Sequence, residues 1–241
     1  MTLEICASNY QSAFNAQIAK AHRIELCTEL GVGGLTPSYG LLHQVLKKLH
    51  IPTFVLIRPR SGNFTYSEDE FEIMKQDIQL CKDLSCSGIV SGILNRDNTI
   101  DIERTKQLIE LSKPLPFTFH RAFDWIPDPY IALRQLTDLG AARILTSGQE
   151  RSAEQGIKVL KQLKEKANDH ITILPGGGIN AQNAKLFMNL GFTELHASAT
   201  TLNSVNDQPK IPMNSPKFFD ETVEAVSDIE KIKGILKSFA N

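Results

Sequence analysis

Cysteine is scarce in this chain, with four in 241 residues at positions 6, 27, 81 and 86 and no CxxC pair. That density excludes a disulfide scaffold, and the step from Cys81 to Cys86 is too loose for a zinc knuckle. No apolar run approaches the roughly 20 residues that a bilayer-spanning helix needs. A cationic excess is missing too: 26 Lys and Arg against 27 Asp and Glu leave a formal net charge of −1. Nucleic-acid binders need a clear cationic stripe to neutralise phosphates, so that class is set aside. The opening Met1-Thr2-Leu3-Glu4-Ile5-Cys6 has neither the cationic region nor the long apolar segment of a signal peptide. A cytoplasmic protein with reduced thiols is the expectation.

What is present is ordinary for a protein with a substantial core: 41% hydrophobic and 22% charged residues. Short β-branched or apolar runs at 3–6, 23–27, 53–58, 88–91, 117–120, 143–146, 171–174 and 194–196 read as strands. Longer amphipathic stretches at 10–20, 38–49, 68–84, 102–111, 129–139, 153–166 and 181–190 read as helices between them. A last helix is expected over 221–238, where Val223, Val226, Ile229, Ile232 and Leu236 form an apolar stripe. Thr36-Pro37 offers a hydroxyl cap with proline in the first turn, and Ser67 with Glu70 forms a capping box.

Eight strands each followed by a helix imply a parallel sheet, because short loops return each strand beside its predecessor. An open doubly wound sheet competes with a closed barrel. The count of eight favours closure, and Cys6-Ala7-Ser8-Asn9 stands where a GxGxxG would follow the first strand. The expectation is one (β/α)8 TIM barrel spanning residues 1–241, with no linker or repeat marking a second domain. One long loop, 203–217, carries Pro209, Pro212 and Pro216 after strand eight, on the rim where barrels bind ligands. It reads either as a lid or as a surface excursion.

Alternation along each strand sorts side chains between the helices and the barrel interior. Leu3 and Ile5 suit the helices, which turns Glu4 and Cys6 inward; Ile24 and Leu26 do the same for Glu25 and Cys27. The two strands repeat Glu-x-Cys with the same separation, since 27 − 6 and 25 − 4 are both 21. With neighbouring strands about 4.8 Å apart, thiols at equal height can touch one ion. Strand three ends in Arg58-Pro59-Arg60, turned away from the helices. Strand five delivers His120, with Asp124 just downstream, and strand eight delivers His196 and Ser198. Buried charges of this kind must pair with one another or hold a ligand. Gly176, Gly177 and Gly178 follow strand seven, and Ser147 follows strand six. Such loops either turn the chain tightly or let backbone approach a phosphate.

These residues resemble the CutC family, named for copper homeostasis, over nearly the whole chain. The blocks that carry the resemblance are LEICA from residue 3, RIELC from 23, GGLTPS from 33 and IRPRSG from 57. The same order continues in Thr118-Phe119-His120-Arg121-Ala122-Phe123-Asp124, then in RILTSG from 143, GGGI from 176 and ELHAS from 194. The resemblance implies a cytoplasmic TIM barrel that self-associates as a homodimer or homotetramer, with Cys6 and Cys27 as Cu(I) ligands. Physics agrees in part, since soft Cu(I) favours thiolate and accepts few ligands. Against it stand the hard carboxylates of Glu4 and Glu25 and the lack of any Met-rich or His-rich tract.

Two functions therefore follow from the sequence. One is a copper homeostasis protein binding Cu(I) through Cys6 and Cys27, with His120 or His196 as auxiliaries. The other is an isomerase or lyase acting on a small phosphorylated or anionic metabolite. There Glu4 or Glu25 is the base, His120 the acid or polarising group, and Arg58 and Arg60 the anion clamp. Asp124 joins them as a catalytic candidate, while Ser147, Gly176, Gly177, Gly178, His196 and Ser198 are substrate-binding candidates. A divalent metal on Glu and His is a variant of this second reading. The partner is a copper ion or a small anion, with no nucleic acid and no membrane.

Overall fold

A computed structural model describes residues 1–204, 211, 220 and 222–239. Eight short strands run parallel in one ring: β1 (Thr2–Ala7), β2 (Arg23–Leu26), β3 (Thr53–Leu56), β4 (Gly88–Ser91), β5 (Phe117–Phe119), β6 (Arg143–Thr146), β7 (Thr172–Pro175) and β8 (Glu194–Ala197). Each pairs with its neighbour in chain order, and β8 returns to β1. The last seam, between β7 and β8, is bridged at one position, Gly176 to His196. Helices α1 (Tyr10–Ile18), α2 (Tyr39–Lys48), α3 (Glu68–Asp83), α4 (Ile102–Ser112), α5 (Pro129–Asp138), α6 (Ile157–Ala167), α7 (Ala184–Asn189) and α8 (Ile229–Ser238) form the outer layer. This is the (β/α)8 barrel that the order of elements predicts. No helix among the described residues is long and apolar enough to cross a membrane.

The alternation rule sorts the core into two shells. Leu3, Ile5, Ile24, Leu26, Val55 and Ile57 pack with the helices in the main apolar layer. Full burial of such a side chain stabilises by about 1.5–3 kcal/mol. Inside the barrel one apolar cluster joins Cys6, Cys27, Phe54, Leu56 and Val90 with Leu30 against them, and Leu145 is buried at the cavity wall. The rest of the buried interior includes Glu4, Arg23, Glu25, Arg58, His120 and His196. A barrel that buries so many charged groups beside its aliphatic side chains has those groups committed to a purpose.

Local signals explain most boundaries. Ser67 and Glu70 close the predicted capping box at the start of α3. The Thr36-Pro37 cap is corrected: α2 starts at Tyr39, and the Ser38 side chain caps it by accepting from the Leu41 amide. Thr36 instead accepts the Arg58 amide at 2.9 Å, tying two rim loops together. Helices α6 and α7 begin later than the amphipathic pattern suggests, because 153–156 and 181–183 are turn.

The expected helix over 221–238 is corrected more deeply. Val223–Ser227 is a strand, β10, antiparallel to β9 (Thr200–Ser204), and only Ile229–Ser238 is helical. Val223 and Val226 satisfy a helical stripe by spacing, but these β-branched residues, opposite Ser204 and Thr201 of β9, pair better as extended chain. Asp228 marks the true start of α8, accepting from the Glu230 and Lys231 amides. Of the predicted 203–217 loop, Asn203 and Ser204 belong to β9, whereas 205–210 and 212–217, with all three prolines, lie outside the described residues.

Candidate metal and ligand site at the barrel mouth

The first two strands meet in a register that corrects one expectation. Cys6 stands opposite Glu25 and Glu4 opposite Arg23, so the repeated Glu-x-Cys is staggered by two residues, as barrel shear requires. The thiols are therefore not at equal height. They still touch, with Cys6 Sγ 3.7 Å from Cys27 Sγ and 3.7 Å from Glu25 Oε1. Across the β1–β8 pair, Glu4 lies opposite His196 and its Oε1 is 2.8 Å from His196 Nδ1. One donor atom each from Cys6, Glu25 and His196 lie within 4.8 Å of one another.

Burial and neighbouring charge set the protonation of this group. Burial alone would raise Glu4, but the His196 hydrogen bond and the Arg23 charge outweigh it and hold the carboxyl down at about 2. Burial pushes Glu25 up to about 7, with His196 opposing and Glu4 adding to the rise. Burial disfavours charge on His196, yet contacts with Cys6, Glu25 and Glu4 lift it well above the usual imidazole value. The Cys27 contact, burial and the Glu25 charge drive the Cys6 thiol well above the ordinary cysteine range.

Beneath these groups lies an ion network. Arg23 bonds to Glu4 and, at 2.6 Å, to Glu194 Oε2, which Arg143 Nε also reaches at 2.9 Å. Both guanidinium groups lie over the Phe54 ring. Glu4 is thus held between Arg23 and His196, off the wall of the mouth.

Above them a cavity of about 300 Å³ opens at the C-terminal rim, bounded by Cys6, Glu25, Arg58, His120, Arg121 and His196 among others. Of the predicted substrate-binding residues, Gly177, Gly178, His196 and Ser198 line it. Cys27 is fully buried behind Cys6 and does not. Gly176 packs instead, since a Cβ there would meet Leu145 at 2.5 Å.

Arg58 and Arg60 part company. Arg58 lines the cavity and donates to the Val32, Gly34 and Gly62 carbonyls at 2.8, 2.9 and 2.8 Å. Arg60 turns away to Glu70 at the start of α3 and to the Ser61, Asn63 and Thr65 carbonyls. His120 Nδ1 accepts the Ala122 amide at 3.2 Å, which puts the ring proton on Nε2, and that atom has no partner. Burial and the Arg58 charge hold its pKa at about 3, so the ring is neutral and polarises rather than protonates. Gly92 makes its place: a Cβ there would lie 2.6 Å from His120 Nδ1.

Asp124 accepts from the Ser147 amide, Ser147 Oγ, the Gln149 amide, Thr146 Oγ1 and Arg121 Nε. Arg121 Nη2 donates to Ser147 Oγ at 2.7 Å. Asp124 and Ser147 thereby aim Arg121 at the cavity without lining it themselves.

The sequence reading passed over Arg121 and Phe64 on the wall, and Arg23, Arg143 and Glu194 beneath it. Arg23 shares the alternation that picked out Glu25, so its inward direction was available. Phe64, in an irregular loop, gave no periodic signal.

Comparison with known proteins bears on the whole chain. The CutC family model matches residues 1–201. A Photorhabdus laumondii family protein CutC is 46% identical over 240 residues, covering 97% of this chain and 96% of the relative. A Homo sapiens copper homeostasis protein cutC homolog is 41% identical over 235 residues, covering 96% and 86%. The crystal structure of a Streptococcus agalactiae CutC superposes with a TM-score of 0.78 at 39% identity, covering 82% of this chain and 98% of that one.

Proposed function

The chain belongs to the CutC family, and from that footing we propose that it serves copper homeostasis by binding Cu(I) at the mouth of its barrel, through Cys6 and Cys27 with His196 as a third donor. The observation that carries this is the 3.7 Å separation of the two sulfurs. Two metal–sulfur bonds of about 2.3 Å at a tetrahedral angle span roughly that distance, so neither thiol needs to move far. Thiolate and imidazole are donors that Cu(I) favours over the oxygen of Glu25. Glu4, bonded to His196 Nδ1, fixes the ring so that Nε2 is the nitrogen left for a metal. The raised Cys6 thiol means that copper must displace a proton, so uptake strengthens as pH rises.

Anaerobic titration with a Cu(I)-chelator competitor should give about one Cu(I) per chain at neutral pH. Replacing both residues, Cys6→Ser with Cys27→Ser, should abolish it. An unchanged stoichiometry in that double variant overturns the proposal.

A second reading keeps one specific support. Glu25 Oε2 and His120 Nε2 are both buried without hydrogen-bond partners on residues that line one cavity. A carboxyl raised to about 7 on the same cavity as a neutral imidazole donor suits proton abstraction from a small anionic metabolite. Loss of turnover in Glu25→Gln, once a substrate is found, is its test.

A further inference from the structure

Arg58 is 5% exposed and lines the cavity, yet its guanidinium is held by neutral groups, three backbone carbonyls, the Phe64 ring and the nearby Tyr66 hydroxyl. Among the described residues no carboxylate pairs with it. Its Nε–H has no acceptor. Burying a full charge with neutral partners alone is unfavourable, and natural sites that keep one hold an anion against it. The three carbonyls fix the head in place but cannot neutralise it.

The groups around it are of the same kind. His120, 4% exposed, carries the unpartnered Nε2–H, and the Phe64 ring lies 4.9 Å from both the His120 ring and the Arg58 guanidinium carbon. Arg121 stands on the opposite wall with Gly177, whose φ of +100° and open side let the guanidinium approach. A Cβ at Gly177 would sit 3.3 Å from Arg121 Nη1. Donors thus arrive from the ends of β3 and β5, on three separate side chains rather than on one planar fork. A tetrahedral phosphate group uses donors so arranged, whereas a carboxylate is satisfied by one planar fork. The remaining wall, Leu30, Leu56, Leu145 and Ile179, is apolar and leaves room in about 300 Å³ for a short carbon skeleton.

We propose that the barrel mouth binds a small phosphate monoester, with Arg58 as counter-charge and His120 Nε2–H and Arg121 as further donors. The ligand class fits the second reading above, but the inference concerns binding alone and needs neither copper nor a reaction.

The test is calorimetric titration of the full chain with glycerol phosphate, inorganic phosphate, glycerol and succinate at constant ionic strength, with and without one equivalent of Cu(I). Glycerol phosphate should bind more tightly than inorganic phosphate, and glycerol should not bind. His120→Asn keeps an acceptor for the Ala122 amide and removes Nε2–H, so affinity should fall about tenfold or more. Arg58→Met should remove binding; if that variant fails to fold, His120→Asn carries the test. No heat from either phosphate, succinate binding as tightly as glycerol phosphate, or full affinity in His120→Asn each overturns the inference. A phosphate ester that binds and is never turned over overturns only the acid–base reading.

Discussion

A neutral imidazole in a charged, buried mouth has a consequence for stability. His120 titrates near 6.5 when unfolded but only at about 3 in the native barrel, because burial and Arg58 resist its protonation. Above 6.5 both states are neutral and nothing is lost. As pH falls from 6.5 towards 3 the unfolded chain takes up a proton that the native state refuses, so stability declines by up to about 1.4 kcal/mol per pH unit. His120→Asn removes that slope. Between pH 7 and pH 5 the parent chain should lose about 2 kcal/mol more than the variant, read from urea midpoints at the two pH values. Equal losses would mean that the native ring does accept the proton. At this scale the sequence was informative about direction and poor about partners. Alternation turned Glu25, Cys6, His120 and His196 inward correctly, because period two is a property of the strand itself. It could not separate Arg58 from Arg60, since both leave strand β3 and only the Glu70 carboxylate at the start of α3 draws Arg60 aside.

Elements are legible when their boundary chemistry is local. The capping box of α3 needs only Ser67 and Glu70, and it was readable for that reason. The hairpin of β9 and β10 was not, because Val223–Ser227 takes its extended form from partner residues 19 to 27 positions away in the chain. The signal that does mark the switch is Asp228. Its Oδ1 accepts from the Glu230 and Lys231 amides at 2.8 and 3.0 Å, and its Oδ2 from Thr201 Oγ1 at 3.2 Å. One side chain thus caps α8 and pins β9 to it. Asp228→Ala should cost about 1–2 kcal/mol in chemical denaturation, the upper part of the N-cap range because the Thr201 bond goes as well. Asp228→Asn, which keeps both acceptors on one oxygen, should recover most of the loss. If alanine and asparagine behave alike, the cap is not what starts the helix.

The whole ring depends on a register that no local pattern encodes. Counting eight strand–helix pairs was enough to expect closure, but the pairing of Cys6 with Glu25 rather than Cys27 follows from shear around the entire barrel. That shear also brings Glu4, Arg23, Arg143 and Glu194, from β1, β2, β6 and β8, to one level of the interior. The network spans the β7–β8 seam, where the strands themselves share one bridge. Glu194 is its keystone, because a single Oε2 accepts from Arg23 and Arg143 together. Arg143 Nη1 is already without a partner, so the loss of Glu194 would leave the buried Arg23 with Glu4 alone and the part-buried Arg143 with only the Phe54 ring. Removing one partner from a buried ion network costs about 3–5 kcal/mol, well beyond a surface pair. Glu194→Gln should therefore lower the unfolding free energy by that amount, seen as a lower urea midpoint with an unchanged slope against denaturant if the barrel still unfolds as one unit. Replacing Arg23, Arg143 and Glu194 together by apolar residues of similar volume should restore much of the stability, since the charges are then no longer stranded. A Glu194→Gln variant within 1 kcal/mol of the parent would mean that backbone pairing and the outer helices close the ring without the network's help.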